Sequence, residues 1–478
     1  MTANINAGGG DAEYWRANRD KLFLASCVAL IVTAMSFAIR GALIAPLGEQ
    51  FGLQKEQIGN INQMAFFGFT LAIIFGGPLC DALGMGKLMV LAFVGHLVGI
   101  LLTIFAHDYT TLWVSTLFFG IGNGFVEAVC NPLIATLYPD QKIKRLNLFH
   151  VWFPGGIVIG GLTSYAVTQL GLGGKEHGWQ IQMATMLIPL AVYVALFFGK
   201  RFPKTERVAS GISTRAMFQE CLRPGFLLFV FAMCLTAMTE LGPGQWITNI
   251  VGVTTGAAGI LFTVWQNGLM AVGRTSAGQI VHRISPIAVL LVSACLALVG
   301  LYALSIARSP LLAGVAITVF AIGVCFFWPT MLGTVSERFP KTGSLGLAIM
   351  GGMGMLASGK IQPLIGNNYD KVTNEKAFAY AQTSNDPALK ASLAAEKAKA
   401  GVSSEIAASN ALGAVAGKDG AAPEVKSAWA QAQADGGAAG IQSVLFMPII
   451  LIFVFGGMFL LDKSKGGYRK EVLLQKQA

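Results

Sequence analysis

Leu22 to Leu47 reads LFLASCVALIVTAMSFAIRGALIAPL, 26 residues that are apolar or small almost throughout and carry one charge, Arg40. About 20 such residues in a helix cross the hydrocarbon core of a bilayer, because a helix satisfies its own amides where water cannot. The run is too long for a secretory signal core and no small-x-small cleavage site follows it, so it is expected to remain as a first membrane span. What precedes it, Met1 to Asp20, is polar.

The rest of the 478 residues repeats this pattern. The chain is 54% hydrophobic and 12% charged, with a mean hydropathy of +0.61, against roughly 25% charged residues in soluble domains. Apolar runs predict spans at Leu22–Leu47, Ile58–Cys80, Leu88–Ala106, Leu112–Leu137, Leu148–Leu170 and Ile181–Phe198. Six more follow at Phe226–Val251, Ala258–Ile280, Ile287–Ile306, Leu311–Leu332, Leu345–Ile365 and Ile441–Leu461. The expected fold is all-α and polytopic, with about twelve transmembrane helices in two six-helix bundles, 1–199 and 226–478. A cytoplasmic linker at 200–225 joins them. No stretch is left for a soluble catalytic domain, and no serine, cysteine or metal constellation stands in a catalytic frame, so an enzyme is not expected.

Basic residues decide the orientation. Arg16, Arg19 and Lys21, then Lys142, Lys144 and Arg145, then Lys200, Arg201, Lys204 and Arg207 fall on alternate connections, and the tail adds Lys463, Lys465, Arg469 and Lys470. The positive-inside rule then puts both termini in the cytoplasm of a plasma membrane. The net charge of +10 sits at membrane edges, which suits lipid and excludes nucleic acid as the expected partner. Cys27, Cys80, Cys130, Cys221, Cys234, Cys295 and Cys325 show no C-x-x-C spacing. They read as small core residues, with neither a metal nor a cofactor expected. Residues 367–440, rich in Ala, Gly, Ser and Lys, read as a solvated, partly helical spacer in a long extracytoplasmic loop. A partner-binding cap is the alternative.

The halves match at an offset of roughly 200 residues, as duplicated transporter bundles do. Gly77–Gly84 pairs with Gly278–Ser285, Asn131-Pro132 with Trp328-Pro329, and Tyr138-Pro139 with Phe339-Pro340. A cavity between two bundles is expected, with a small-molecule solute as the ligand and a monomer as the working unit.

Charges inside spans are costly, about 2.5 to 3.5 kcal/mol each on insertion scales, and so mark interiors or wet cavities. Arg40, Glu127 and Glu240 lie well inside apolar runs, with His96 and His150 second in rank. Glu127 and Asn131 share a helix face, and a buried carboxylate there can carry a proton across. Arg40 reads either as an anchor for an anionic solute or as the fixed counter-charge of Glu127. Glu240 opens a stretch, ELGPGQWITN, in which Gly242-Pro243-Gly244 breaks the helix and Gln245, Trp246 and Asn249 follow. Broken helices mark transporter sites, and Trp246, Trp265, Gln266, Asn267 and Trp328 add aromatic faces and amides of the kind that hold sugar rings.

Gly77 to Lys87 resembles the loop between spans two and three of the major facilitator superfamily, with Asp81 in its acidic position followed by Gly84. Glu127-Ala128-Val129-Cys130-Asn131-Pro132, then Arg145-Leu146-Asn147-Leu148 and Trp152-Phe153-Pro154-Gly155-Gly156, resemble the fucose and glucose/galactose proton symporters. The resemblance implies sugar binding and proton coupling at Glu127 and Asn131, and a conformational role for Asp81. Two positions depart from that family: Ala42 stands where it has an aspartate, and Phe153 where it has a polar amide. The leading expectation is a proton-coupled symporter of a small polar solute, a sugar. An organic-anion carrier using Arg40 and a transporter-like sensor or scaffold are the alternatives.

Overall fold

The computed structural model describes residues 9–138, 142–203, 214–275, 284–399 and 401–469, and every element among them is helical. The N-terminal half consists of α1 (Gly9–Phe51), α2 (Lys55–Leu83), α3 (Met85–Ile104), α4 (Tyr109–Leu137), α5 (Lys142–His150), α6 (Trp152–Gln169), α7 (Gly174–Ala184) and α8 (Leu187–Phe197). After α9 (Thr214–Cys221), the C-terminal half has α10 (Pro224–Gly244), α11 (Ile247–Thr255), α12 (Gly259–Thr275), α13 (Pro286–Ile306), α14 (Pro310–Val324), α15 (Phe327–Arg338) and α16 (Gly343–Thr383). It closes with α17 (Pro387–Lys397), α18 (Ser404–Ala416), α19 (Pro423–Gln442) and α20 (Phe446–Ser464).

Ten described segments are long and apolar enough to cross a membrane. Two others run beside them without meeting that measure: α12, described for 17 residues, and the glycine-rich start of α16. Large apolar side chains stay exposed around the bundle, Phe105, Phe198, Leu311 and Phe453 among them. That is the expected surface of a protein whose solvent is lipid.

The duplication is visible in packing at an offset of 201. A Cβ on Gly99 would come within 2.7 Å of Phe119, and one on Gly300 within 2.5 Å of Phe320. Each glycine therefore allows one helix pair, α3 with α4 and α13 with α14, to approach more closely than any larger residue permits. The helix starts match as well. The Asp108 carboxylate accepts from Thr111 N at 2.7 Å at the start of α4, and Ser309 Oγ accepts from Leu312 N at 3.4 Å at the start of α14.

The halves meet along α2 and α16. A Cβ on Gly59 would fall 2.6 Å from Gln362 O, and one on Gly366 2.4 Å from Lys55 O. Gly41 of α1 likewise faces Gln245 O, 3.1 Å from where its Cβ would be. These approaches lie at the end of the bundle that carries residues 367–440, called the loop end below. The opposite end carries the start of α1 and the end of α20.

Residues 367–440 are not the spacer that composition suggests. α16 runs on past the bundle to Thr383, and α17, α18 and α19 fold against it around Ala377, Leu389, Ala411, Leu412, Val415 and Val425. Alanine is both the best helix former and small enough for close packing, so a sequence that reads as low complexity builds a core. The cap is tied to the rest of the C-terminal half by Arg308 with Asp435 (3.3 Å), and within it Thr373 Oγ1 donates to Ala432 O (3.4 Å). Among the cysteines, Cys295 is exposed and Cys234 half-buried, while the other five are buried as expected.

Candidate functional site

α10 ends at Gly244, and α11 restarts at Ile247. The break is braced from α16: Trp246 Nε1 donates to Gln362 Oε1 (2.9 Å), and Gln362 Nε2 donates to Ser358 O (3.0 Å) and to Gly242 O (3.5 Å), one of the carbonyls at the break. The break thus holds Glu240 and Gln245 on one wall of a cavity between the halves.

α12 supplies the rest of that wall. Thr263, Asn267, Met270 and Arg274 recur at helical spacing, and Gln266 lies beside them. Arg274 NH2 lies 3.2 Å from Glu240 Oε1, with both side chains largely buried, and Arg274 Nε donates to Cys325 O at 3.3 Å. Asn267 Nδ2 donates to Thr263 O (2.9 Å), whose hydroxyl pairs with Thr248 (2.8 Å). Glu240 Oε2, Gln245 Oε1 and Gln266 Oε1 are buried and have no hydrogen-bond partner among the described residues. The N-terminal half contributes the facing wall, Phe37, Phe153, Pro154 and Ile157, and the space between is about 430 Å³ with its mouth included. One wall is aromatic and apolar, the other charged and polar.

A second polar group lies in the N-terminal half. Asn131 Nδ2 donates to Glu127 Oε2 at 2.7 Å and to Glu127 O at 3.0 Å, and Asn131 Oδ1 meets His150 Nε2 at 3.0 Å. His150 lies within charge-interaction range of both Glu127 and Arg274.

Several residues singled out from the sequence lie elsewhere. Trp246 is fully buried as the brace just described, and Asn249 is buried without lining the cavity. Trp265 is 53% exposed, its Nε1 donating to Thr318 Oγ1 at 2.9 Å. Neither tryptophan presents a face to the cavity. His96 is fixed within the N-terminal half by Tyr193 (3.2 Å) and Asn123 (2.9 Å). The Asp81 side chain lies outside the described residues, and Gly84 is the C-cap of α2, with a positive φ of 86°.

Arg40 departs from both of its expected roles. It forms no described ion pair with Glu127, whose carboxylate is taken by Asn131, and it lines a different cavity from the one between the halves. Arg274 is the residue that sequence reading passed over. It stands at the end of an apolar run beside a loop, where an arginine reads as an interface anchor. Its signal was the polar face Thr263, Asn267, Arg274 on one helix.

A family model described as Major Facilitator Superfamily matches residues 25–359, and the chain belongs to that superfamily. It is a multi-pass membrane transporter. The gallate transporter of Pseudomonas putida is 25% identical over 66% of this chain and 78% of its own length. The gentisate transporter of Corynebacterium glutamicum is 22% identical over 54% and 60%, and the D-xylose transporter of Levilactobacillus brevis is 28% identical over 34% of each chain. Among solved structures, a bacterial homologue of the human lysosomal transporter Spinster superposes with a TM-score of 0.68 at 15% identity, covering 92% of this chain and 97% of the other. The fucose:proton symporter of E. coli gives 0.53 at 14% identity, covering 90% and 98%.

Proposed function

We propose that the chain carries a small organic carboxylate, of the hydroxybenzoate type, across the plasma membrane together with a proton. The observation that carries this reading is the pairing of two unlike walls in one cavity. Arg274 offers a guanidinium suited to a carboxylate, Gln245, Gln266 and Asn267 offer amides for ring hydroxyls, and Phe37 and Phe153, 5.3 Å apart and edge to face, offer a ring-sized apolar surface. Gallate and gentisate, named for two of the relatives, are both hydroxylated benzoates.

Coupling follows from competition for one arginine. A solute carboxylate that takes Arg274 leaves Glu240 buried without its counter-charge, which is costly unless Glu240 accepts a proton. Anion and proton then load together and leave together as the halves rock about the site. Both termini are assigned to the cytoplasm on the charge pattern, and a monomer suffices because both walls come from one chain.

A neutral sugar is the second reading. It rests on the Glu127–Asn131–His150 hydrogen-bond chain and on the D-xylose transporter among the relatives. A thermal-shift screen of the purified protein separates the two, since a ligand that binds only the folded state raises its stability. Hydroxybenzoates are expected to raise the melting temperature while xylose and fucose leave it unchanged. The reverse pattern would replace the anion reading with the sugar one.

A further inference from the structure

Inside the N-terminal half, apart from the cavity between the halves, α1, α2, α3, α4 and α7 enclose a second cavity of about 520 Å³, mouth included. The two share no lining residue. Its walls are mostly aliphatic, and Arg40 and Asn62 project into it. Arg40 Nε donates to Ser36 O at 3.2 Å. Both terminal guanidinium nitrogens and Asn62 Nδ2 are buried without a hydrogen-bond partner among the described residues. Asn62 itself is 3% exposed.

No described ion pair includes Arg40. Beyond the Ser36 carbonyl, its compensation among the described residues comes from ring faces, Phe37 at 5.1 Å and Phe66 at 5.9 Å. A buried charge without a counter-charge costs several kcal/mol. The neighbouring hydroxyls do not offset it, because Ser36 and Thr116 direct their protons to backbone carbonyls and bring no negative charge. The unpartnered atoms are all donors, so what complements them is an acceptor, and the unbalanced charge calls for an anion.

We propose that Arg40 and Asn62 hold a small inorganic anion of halide size inside the N-terminal bundle. The site lies within one half, so rocking of the halves does not open it to either side. Its occupant is resident and is not cargo. It neutralises a charge that α1 carries among apolar side chains, and the N-terminal bundle is therefore most stable when the medium supplies such an ion.

The probe is bromide, with chloride and gluconate as comparison anions at constant ionic strength. Purified wild-type protein should melt higher in bromide or chloride than in gluconate, whose many hydroxyls suit mostly aliphatic walls poorly. The difference should vanish in Arg40→Met and shrink in Asn62→Leu. Crystals soaked in bromide should show an anomalous peak between the Arg40 guanidinium and the Asn62 amide. If Arg40→Met fails to fold, the wild-type peak decides alone. Melting that is indifferent to halide in the wild type with no peak at this position would overturn the proposal, since the acceptor would then be water. So would a peak that persists in Arg40→Met, or one displaced by hydroxybenzoate, which would make this a solute site. None of these readouts depends on transport, so the outcome stands whichever solute the chain carries.

Discussion

In the C-terminal half Arg274 meets Glu240 at 3.2 Å beside the cavity between the halves. In the N-terminal half Arg40 meets no acid among the described residues and lies against two phenylalanine rings. Both arginines occupy helices of the same duplicated frame, yet the first faces the cavity between the halves, where the proposed solute would bind, and the second is half-buried within its own bundle with its terminal nitrogens out of solvent. On the proposed function, a buried charge marks the transport site only where it faces the other half and has a titratable partner that can give way. Depth in the membrane does not distinguish the two, and partnership does.

The largest effect should come from breaking the pair. Arg274→Gln leaves Glu240 buried and uncompensated, which is expected to cost about 3 to 5 kcal/mol of stability and to stop transport. Adding Glu240→Gln should restore stability without restoring transport, as melting and uptake measurements would show. Arg40→Gln in a halide-free medium should behave in the opposite way, with stability held or raised and transport retained. If the two single variants behave alike, the contrast between the halves is wrong.

The Glu127–Asn131–His150 chain of the N-terminal half sharpens the comparison. Glu127→Gln keeps an acceptor for Asn131 Nδ2 but weakens a hydrogen bond inside the N-terminal half, a stability loss of about 1 kcal/mol to be read as a lower melting temperature. Accumulation driven by a pH gradient should persist. Its loss in this variant, with exchange intact, would move the proton carrier from Glu240 to Glu127.

A smaller effect is expected at the loop end, where Asp370 of α16 accepts from Glu56 N of α2 at 2.9 Å and so joins the halves. Burial pushes the Asp370 carboxyl up to about 6, against the opposing influence of the Glu56 and Lys55 amides. A carboxyl raised in this way binds its proton more tightly in the closed state than when solvated. Closure is therefore most favoured below the ordinary aspartate value near 4 and is weakened as pH rises through about 6. Loop-end opening, followed by a fluorescent label on the cap, should become easier over that window, and Asp370→Asn should remove the dependence.

The smallest effect belongs to Trp265→Phe, which removes one exposed hydrogen bond to Thr318. A stability loss of at most about 1 kcal/mol and unchanged uptake are expected. A large loss of uptake would return this tryptophan to the site.

Much of the frame was legible because lipid imposes one rule on every span, and the duplication repeats its glycines, as at Gly99 and Gly300. The site was only partly legible. Glu240, Gln245, Gln266 and Asn267 announced themselves as polar groups in apolar runs, and the structure places all four on one cavity wall. Arg274 did not, because an arginine at the edge of a span has a cheaper explanation at the interface. Trp246 and Trp265 misled because an indole does as well bracing a helix break or facing another helix as it does holding a solute. The cap was unreadable as a fold, since alanine-rich composition looks the same whether its helices pack or remain in solvent.

Uptake of labelled hydroxybenzoate into proteoliposomes under an imposed pH gradient, with exchange under no gradient measured alongside, tests the central claim most directly. The wild type should accumulate the anion. Glu240→Gln should exchange it without accumulating it, and Arg274→Gln should do neither. Accumulation by Glu240→Gln equal to the wild type, or accumulation of xylose in place of hydroxybenzoate, would contradict the claim that one arginine, shared between Glu240 and the solute, couples the two flows.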